Sequence, residues 1–422
     1  MATIQGQRTT ESVPSGLRPL NFSDKIFNPE FGYSDGDDSL FRLLYKLGKG
    51  LGKETKTKKF QCAEDVDRKK STAISSISGA TDTYFDVTSG DGDILQAGMM
   101  LYNEMTDERM RITDVSGDTV TVTRDWGSVL SGASSSTANN DVLRILGLAS
   151  AEGTDAPDAI TNQPSTGYNY LSFVRTAVEA SEHDIHTTTE YGNDWDYARK
   201  KQARQHVREV NSTLWFSSRH EETTCPVFGK PVSTTGGVFQ HLGDYYDLTT
   251  AYSGVLTEKA IDLIMERAFY NGSDDKVLFC GRHMGNAFTS IAKNKVMFND
   301  QKSKSYGMKI TEYTSGGKRL EIITEKEIFE GFGATNSTYG GTMSAQAAIL
   351  DVKLMGLRHI PNMGTRLKRN VQLPGVSGRK DVWETTIGLE MSPTIDFTYN
   401  SDSAALQYRP PHLRLKGFVT YG

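Results

Sequence analysis

From Tyr168 to Glu222 the chain carries an extended-looking run, YNYLSFVRTAVEAS, then a polar hinge, then a long charged amphipathic segment. Trp195, Ala198, Val207, Val210 and Leu214 recur at spacings near three and four, while Arg199, Lys200, Lys201, Arg204, Arg208 and Glu209 fall mostly elsewhere on the wheel. That is the pattern of a helix with one buried stripe. Asn193 or Asp194 can cap its first turn, and Asp194 and Asp196 put negative charge at the positive end of the dipole. A helix from Asn193 to Glu222 is roughly 45 Å long at about 1.5 Å rise per residue. Taken alone it suits the surface of any large α/β protein, so its neighbours decide what it is.

Those neighbours differ sharply from one another. From about Thr81 to Leu148 the pattern is period two, in YFDVTS, MLYNEM, RMRITDVS, TVTVTRDW and VLRILG, broken by GDGD, SGD and SGASSSTANN. Short antiparallel strands forming a small β subdomain or a long hairpin are expected. Beyond the helix, Leu256 to Tyr270 reads as a second helix, with Thr257 as its cap, Ile261, Ile264, Met265 and Ala268 as its stripe, and Asn271-Gly272 as its end. Lys276 to Cys280 reads as a buried strand, and Asn286 to Lys293 as a helix. GMKITEYTSGGKRLEIITE reads as a hairpin turning at Gly316-Gly317. Ala347 to Ile360 and Val382 to Tyr399 read as two further long strands. Residues 1 to about 70, with Pro14, Pro19 and Pro29, read as an extended arm bearing one short helix, ordered by contact with other surfaces rather than by a core of its own.

The net charge of -5 is small, but it is unevenly spread. Arg42, Lys46, Lys49, Lys53, Lys56, Lys58 and Lys59 face a single acid, Glu54, whereas no lysine occurs between Lys70 and Lys200. The lysine-free region is rich in carboxylates, among them Glu104, Asp107, Glu108 and Asp125. In an assembly, an acidic projection of one copy laid over the basic run of another improves register and association rate. Both sets are therefore candidates for contacts between subunits.

Catalytic patterns fail one by one. GKGLGKETK is one residue short of a phosphate loop and has Glu54 where Ser or Thr belongs. His183 and His186, in a Thr-rich stretch beside Gly192, read as solvated polar residues rather than metal ligands. G-x-S-x-G is absent, and Gly90-Asp91-Gly92-Asp93 lacks the remaining ligands of a calcium loop. Cys62, Cys225 and Cys280 are widely separated and are expected to be reduced thiols. No catalytic residue, cofactor or metal is expected, and neither is an enzyme. The chain has no apolar stretch of transmembrane length and no signal peptide, so synthesis in a cytoplasm is expected. The overall acidic balance argues against strong sequence-independent nucleic-acid binding, leaving a local phosphate contact of the basic run open.

The order of these parts resembles the major capsid proteins of tailed bacteriophages with the Hong Kong 97-like shell fold, in particular those with a β insertion in the extended loop. The matching residues are Glu152-Gly153-Thr154, Tyr168-Asn169-Tyr170, Val178 to Ser181, Tyr191-Gly192 with the helix after it, Gly236-Gly237, Met308 to Thr311, Leu350-Asp351, Leu357-Arg358 and Glu384 to Glu390. The resemblance implies an α+β subunit with an N-arm at 1–72 and an extended loop carrying a small β subdomain at 73–166. A peripheral domain at 167–235 would include the spine helix 193–222, with Trp195, Val207, Val210 and Leu214 packed onto its sheet. An axial α/β domain at 236–378 and C-terminal strands at 379–422 would complete it.

It further implies pentamers and hexamers that enclose double-stranded DNA in a virion assembled in the bacterial cytoplasm. Expected partners are portal and scaffolding proteins and a decoration protein, with no membrane. Relatives that weld their shells do so through a loop lysine, and this loop has none, so a non-covalent shell is expected. A nanocompartment shell of the encapsulin type and a phage adhesion protein are the competing readings.

Overall fold

In the computed structural model the described residues are 39–46, 53–65, 68–127, 137–153, 156–161, 163–186, 194–243, 245–293, 312–329, 343–394, 410–418 and 420–421. Helices and strands are interspersed along the chain, an α+β arrangement. The apolar residues gather into three separate cores.

The period-two region closes into a six-stranded barrel, with strands Ser71–Ser76, Tyr84–Val87, Met99–Asn103, Arg109–Ser116, Thr119–Thr123 and Val142–Leu148. Each strand turns one face inward, as its alternation requires. Val120 and Val122 enter the core while Thr119, Thr121 and Thr123 stay outside it. Ile74, Phe85, Leu101, Met110, Ile112 and Leu143 fill the rest of the interior. A closed sheet has no free edge, which removes a site of unwanted pairing. A two-stranded neck, Lys59–Glu64 antiparallel to Ser165–Tyr170, carries the barrel.

The run YNYLSFVRTAVEAS divides into two strands. Ser165–Tyr170 belongs to the neck, and Ser172–Ser181 pairs antiparallel with Gly378–Met391 along ten residue pairs from Ser172↔Ile387 to Ser181↔Gly378. Leu171, buried between them, marks the change of partner, and its N–H donates to the Lys58 carbonyl. The sheet is completed by Met355–His359, Lys53–Glu54 and Arg366–Lys368.

The spine helix runs from Asp194–Phe216, 23 residues, rather than to Glu222. At about 1.5 Å per residue it is roughly 35 Å long. Its last turn closes with Ser217 N–H donating to the Thr213 carbonyl, and Gly237 N–H then donates to the Ser217 carbonyl. His220–Glu222 departs as a strand paired with Val232–Thr234. Two glutamates at the negative end of the dipole are unfavourable in a helix, which fits the strand they adopt instead.

The third unit is a six-stranded mixed sheet in the order Tyr245–Asp247, Leu413–Lys416, Ala347–Leu350, Asp275–Cys280, Lys318–Thr324, Glu312–Ser315. Its central strands are apolar on both faces because they separate two cores. Leu278, Cys280, Ala347 and Ile349 face one core, and Val277, Phe279, Ala348 and Leu350 face the other. Helix Glu258–Ala268 covers the first, with Thr257 Oγ1 accepting from Ala260 N–H as expected of its cap. The hairpin turns at Gly316 and Gly317, φ 57° and 78°, the pair of positive values a two-residue turn demands.

The expected strand over Ala347–Ile360 is divided at Asp351, whose carboxylate accepts from Lys353 N–H and starts a 3-10 turn. The last long strand is Gly378–Met391 rather than Val382 to Tyr399. Residues 1–38, Lys49 and Met308 to Thr311 lie outside the described residues.

The front of the chain corrects the expectation of a coreless arm. In helix Leu40–Lys46, Leu40 and Leu44 are fully buried in the same core as Trp215. Lys53–Glu54 pairs parallel with Arg358 and His359. This part of the expected arm is integral to the fold.

Candidate assembly surfaces

The spine helix lies on strands Ser172–Ser181 and Gly378–Met391. Trp195, Val210 and Leu214 are 6%, 2% and 0% exposed, whereas Val207 is 36% exposed and does not pack onto the sheet. The helix surroundings change along its length and explain this. Its C-terminal half is met by helices Leu40–Lys46, Val238–His241 and Lys326–Phe329 as well as by the sheet. Trp215 sits there among Phe239, Phe279 and Phe329, with ring centroids 5.2 to 5.5 Å apart.

His206 is buried under the helix, with Nδ1 2.8 Å from Thr176 Oγ1 and Nε2 2.7 Å from Thr385 Oγ1. Thr176 in turn donates to Glu209 Oε2 at 2.5 Å. Because the Thr176 hydroxyl gives its proton to Glu209, Nδ1 carries a ring proton and donates it to Thr176. Burial pushes the His206 pKa down, with Glu209 pulling the other way.

Charge on the sheet is concentrated at two buried carboxylates. Glu384 meets Arg175 at 2.8 Å, Lys368 at 2.7 Å and Arg366 at 3.2 Å. Burial opposes its ionisation, but Lys368, Arg175 and Arg366 outweigh burial and hold it below the usual carboxylate range. Asp381 accepts from Asn370 N–H at 3.0 Å and lies 3.5 Å from Arg199 of the helix and from Arg379. Around Glu384 one anion gathers three half-exposed cations, so that face of the sheet is locally positive.

The neck is fixed at its base by Asn169. Its Nδ2 donates to the carbonyls of Leu389 at 2.8 Å and Gly236 at 3.2 Å, and its Oδ1 accepts from Gly236 N–H at 2.7 Å. A side chain at Gly237 would put Cβ 2.8 Å from the Trp215 carbonyl, so only glycine fits this approach of backbone to helix end. Glu64 accepts from Thr394 N–H at 2.6 Å and from its hydroxyl at 3.0 Å. Arg358 forks onto Glu390 at 2.8 and 2.9 Å. The rings and cations of the neck interleave, with Lys59 and Arg219 3.8 and 3.9 Å from the Tyr168 ring centroid.

In the six-stranded unit, buried Lys276 donates to the carbonyls of Ala268, Asn271 and Pro411 at 2.6 to 2.7 Å, tying a helix end to the C-terminal segment. Burial pushes its ammonium down to about 8, against the pull of Asp351. His412 accepts from Asp351 N–H and donates to the Ser392 carbonyl, and burial pushes it down to about 4.

The acidic contact candidates divide. Glu104 is exposed and pairs with Arg144 at 2.7 Å. Asp107, in a left-handed turn with φ 60°, accepts from the Tyr102 hydroxyl. Glu108 is no surface contact: it is 0% exposed and held by Arg124, and Asp125 donates its N–H to the same carboxylate at 3.3 Å. Barrel closure turned it inward.

Among the basic candidates, Lys56, Lys58 and Lys59 are exposed. Arg42 and Lys46 lie on the helix Leu40–Lys46 and Lys53 on the short strand beside Met355–His359. Glu104 and Glu108 each find a charged partner within the barrel unit, Arg144 on its surface and Arg124 in its interior. Sequence reasoning passed over Arg175, Arg366, Lys368 and Glu384, whose signal was a carboxylate at an inward position of VWETTIGLE. Among the described residues no cluster of three His, Cys, Asp or Glu gathers to hold a metal, and no helix is long and apolar enough to cross a membrane.

An apolar groove of about 460 Å³ opens on the sheet, lined by Ala177, Phe228, Val371, Leu373 and Val376 with Arg175 on its border. Phe228 and Leu373 are 69% and 75% exposed. Exposed apolar side chains so grouped mark surfaces that meet other proteins.

Among curated proteins, the major capsid protein of Pseudomonas phage PaMx41 is 25% identical over 283 residues, spanning 62% of this chain and 63% of that protein's length. Among solved structures, the capsid of a native GTA particle is 12% identical with TM-score 0.48, covering 96% of this chain and 97% of that one. A chain of Microbacterium phage Oxtober96 is 10% identical with TM-score 0.41 over the same shares. The family model described as SU10 major capsid protein matches residues 36–394, and the chain belongs to that family.

Proposed function

We propose that copies of this chain assemble into pentamers and hexamers that tile an icosahedral phage head around double-stranded DNA, on a Hong Kong 97-like subunit plan. The barrel and its neck serve as the extended loop, the sheet with the spine helix as the peripheral domain, and the six-stranded unit as the axial domain. Membership of the capsid family supports this reading most directly. The observation within the molecule that carries it is the barrel set apart on a two-stranded neck, with its own core and no share in the other two. Such a projection has no role in a monomer, and laid on a neighbour it adds contacts that strengthen every other interface through avidity. Asymmetric contacts of this kind close into rings when the rotation between copies closes, and otherwise extend into filaments.

The shell is held without covalent links from the loop, which has no lysine between Lys70 and Lys200. Portal, scaffolding and decoration proteins are its expected partners in the virion. Negative-stain microscopy of the purified chain tests the reading: rings, sheets or spheres are expected, and dispersed single subunits at high concentration would count against it.

A further inference from the structure

We infer that the outward face of the spine helix is a binding surface for the phosphate backbone of duplex DNA. The inference rests on the reading of the chain as a shell subunit. At about 100° per residue, Lys200, Arg204, Arg208 and Lys201 fall within an arc of about 100°. Lys200, Lys201 and Arg204 are exposed and Arg208 is half-buried. Beyond Asp196 the helix has one acidic residue, Glu209, and it lies off this arc, accepting the Thr176 hydroxyl. Arg199 is turned to the sheet, where it meets Asp381.

Lys200, Arg204 and Arg208 succeed one another at four-residue steps, a straight file of cations about 6 Å apart. Two nucleotides of one strand advance by a similar distance, about 6.8 Å. The face is mostly charged, with half-buried Tyr197 between Arg204 and Arg208 on the wheel and Val207 at its margin. A protein partner brings an apolar core to its interface, whereas a nucleic-acid backbone calls for cations and little else. An apolar groove lies elsewhere, around Phe228 and Leu373. The two kinds of surface are thus separated, one suited to neighbouring subunits and the other to a polyanion.

The test uses the full chain and a fluorescent duplex of about 30 base pairs, with affinity read by anisotropy from about 50 to about 200 mM salt. The triple variant Lys200→Gln, Lys201→Gln, Arg204→Gln is expected to lose at least about tenfold in affinity, and its log–log salt slope to flatten by about 2.7, three charges at about 0.9 each. Lys230→Gln with Lys259→Gln, exposed cations elsewhere, leaves both unchanged. Circular dichroism and thermal unfolding matching the parent show that the variants fold.

Full affinity and slope in the triple variant overturn the inference. So does loss of capsomers in negative stain with duplex binding intact, which assigns the stripe to another copy. Lost duplex binding supports the inference whether or not shells form, so the two readings fail separately.

Discussion

Arg124 and Glu108 meet in a two-bond fork, 2.6 Å at each contact, with the Glu108 side chain wholly enclosed. Arg124 also donates to the carbonyls of Ala80 and Asp82, so one guanidinium ties three stretches of the barrel. Removing one member of a buried pair leaves the other charged and unsolvated, at a cost of about 3 to 5 kcal/mol. Glu108→Ala is expected to destabilise the barrel by that order. Limited proteolysis of the full chain should then cut within 71–148 first, where the parent resists.

Val207 and Val210 read alike in the sequence and differ in the structure. Val207→Ala is expected to change stability by less than about 0.5 kcal/mol, and Val210→Ala by about 1 to 3 kcal/mol through lost burial and a residual cavity. Equilibrium denaturation measures both. Equal losses would mean that the helix sits in another phase.

Leu40 and Leu44 belong to the core, so Leu44→Ala should cost about 2 to 5 kcal/mol. Removing residues 1–38 leaves in place every core side chain found among the described residues. The shortened chain should therefore unfold at the parent's denaturant midpoint while its yield of closed shells falls. Removing 1–60 would instead unfold the sheet that Lys53–Glu54 joins.

Acid should weaken the fold through His412. Its folded pKa lies at about 4, below the ordinary 6.5, so between those values the unfolded chain binds the proton more readily. Stability is present above pH about 6.5 and declines as pH falls toward about 4, by about 3 kcal/mol at about 1.4 kcal/mol per pH unit. His206, also lowered by burial, acts in the same direction. In His412→Gln the slope of unfolding free energy against pH should flatten, whatever its effect on stability at neutral pH.

What the sequence made legible were features with a local cause. Thr-Val alternation announced Val120 and Val122 as inward, Thr257 announced a helix start, and Gly316-Gly317 a tight turn, because each depends on residues nearby. The inward turn of Glu108 depends on a closed barrel and on Arg124 sixteen positions away, and nothing local distinguishes it from Glu104. Val207 lies about 20° from Leu214 on the wheel, and only the crowd of helices around the C-terminal half separates their fates. Leu40 and Leu44 looked like a small cluster in a proline-rich arm because their partners, Trp215 and Phe329, lie far along the chain.

The most direct measurement is native mass spectrometry of the purified chain across a range of concentrations. Assembly through capsomers predicts discrete masses of five and six chains, dissociating to single chains of unmodified mass under denaturing conditions. A single-chain species persisting at the highest concentrations would contradict it.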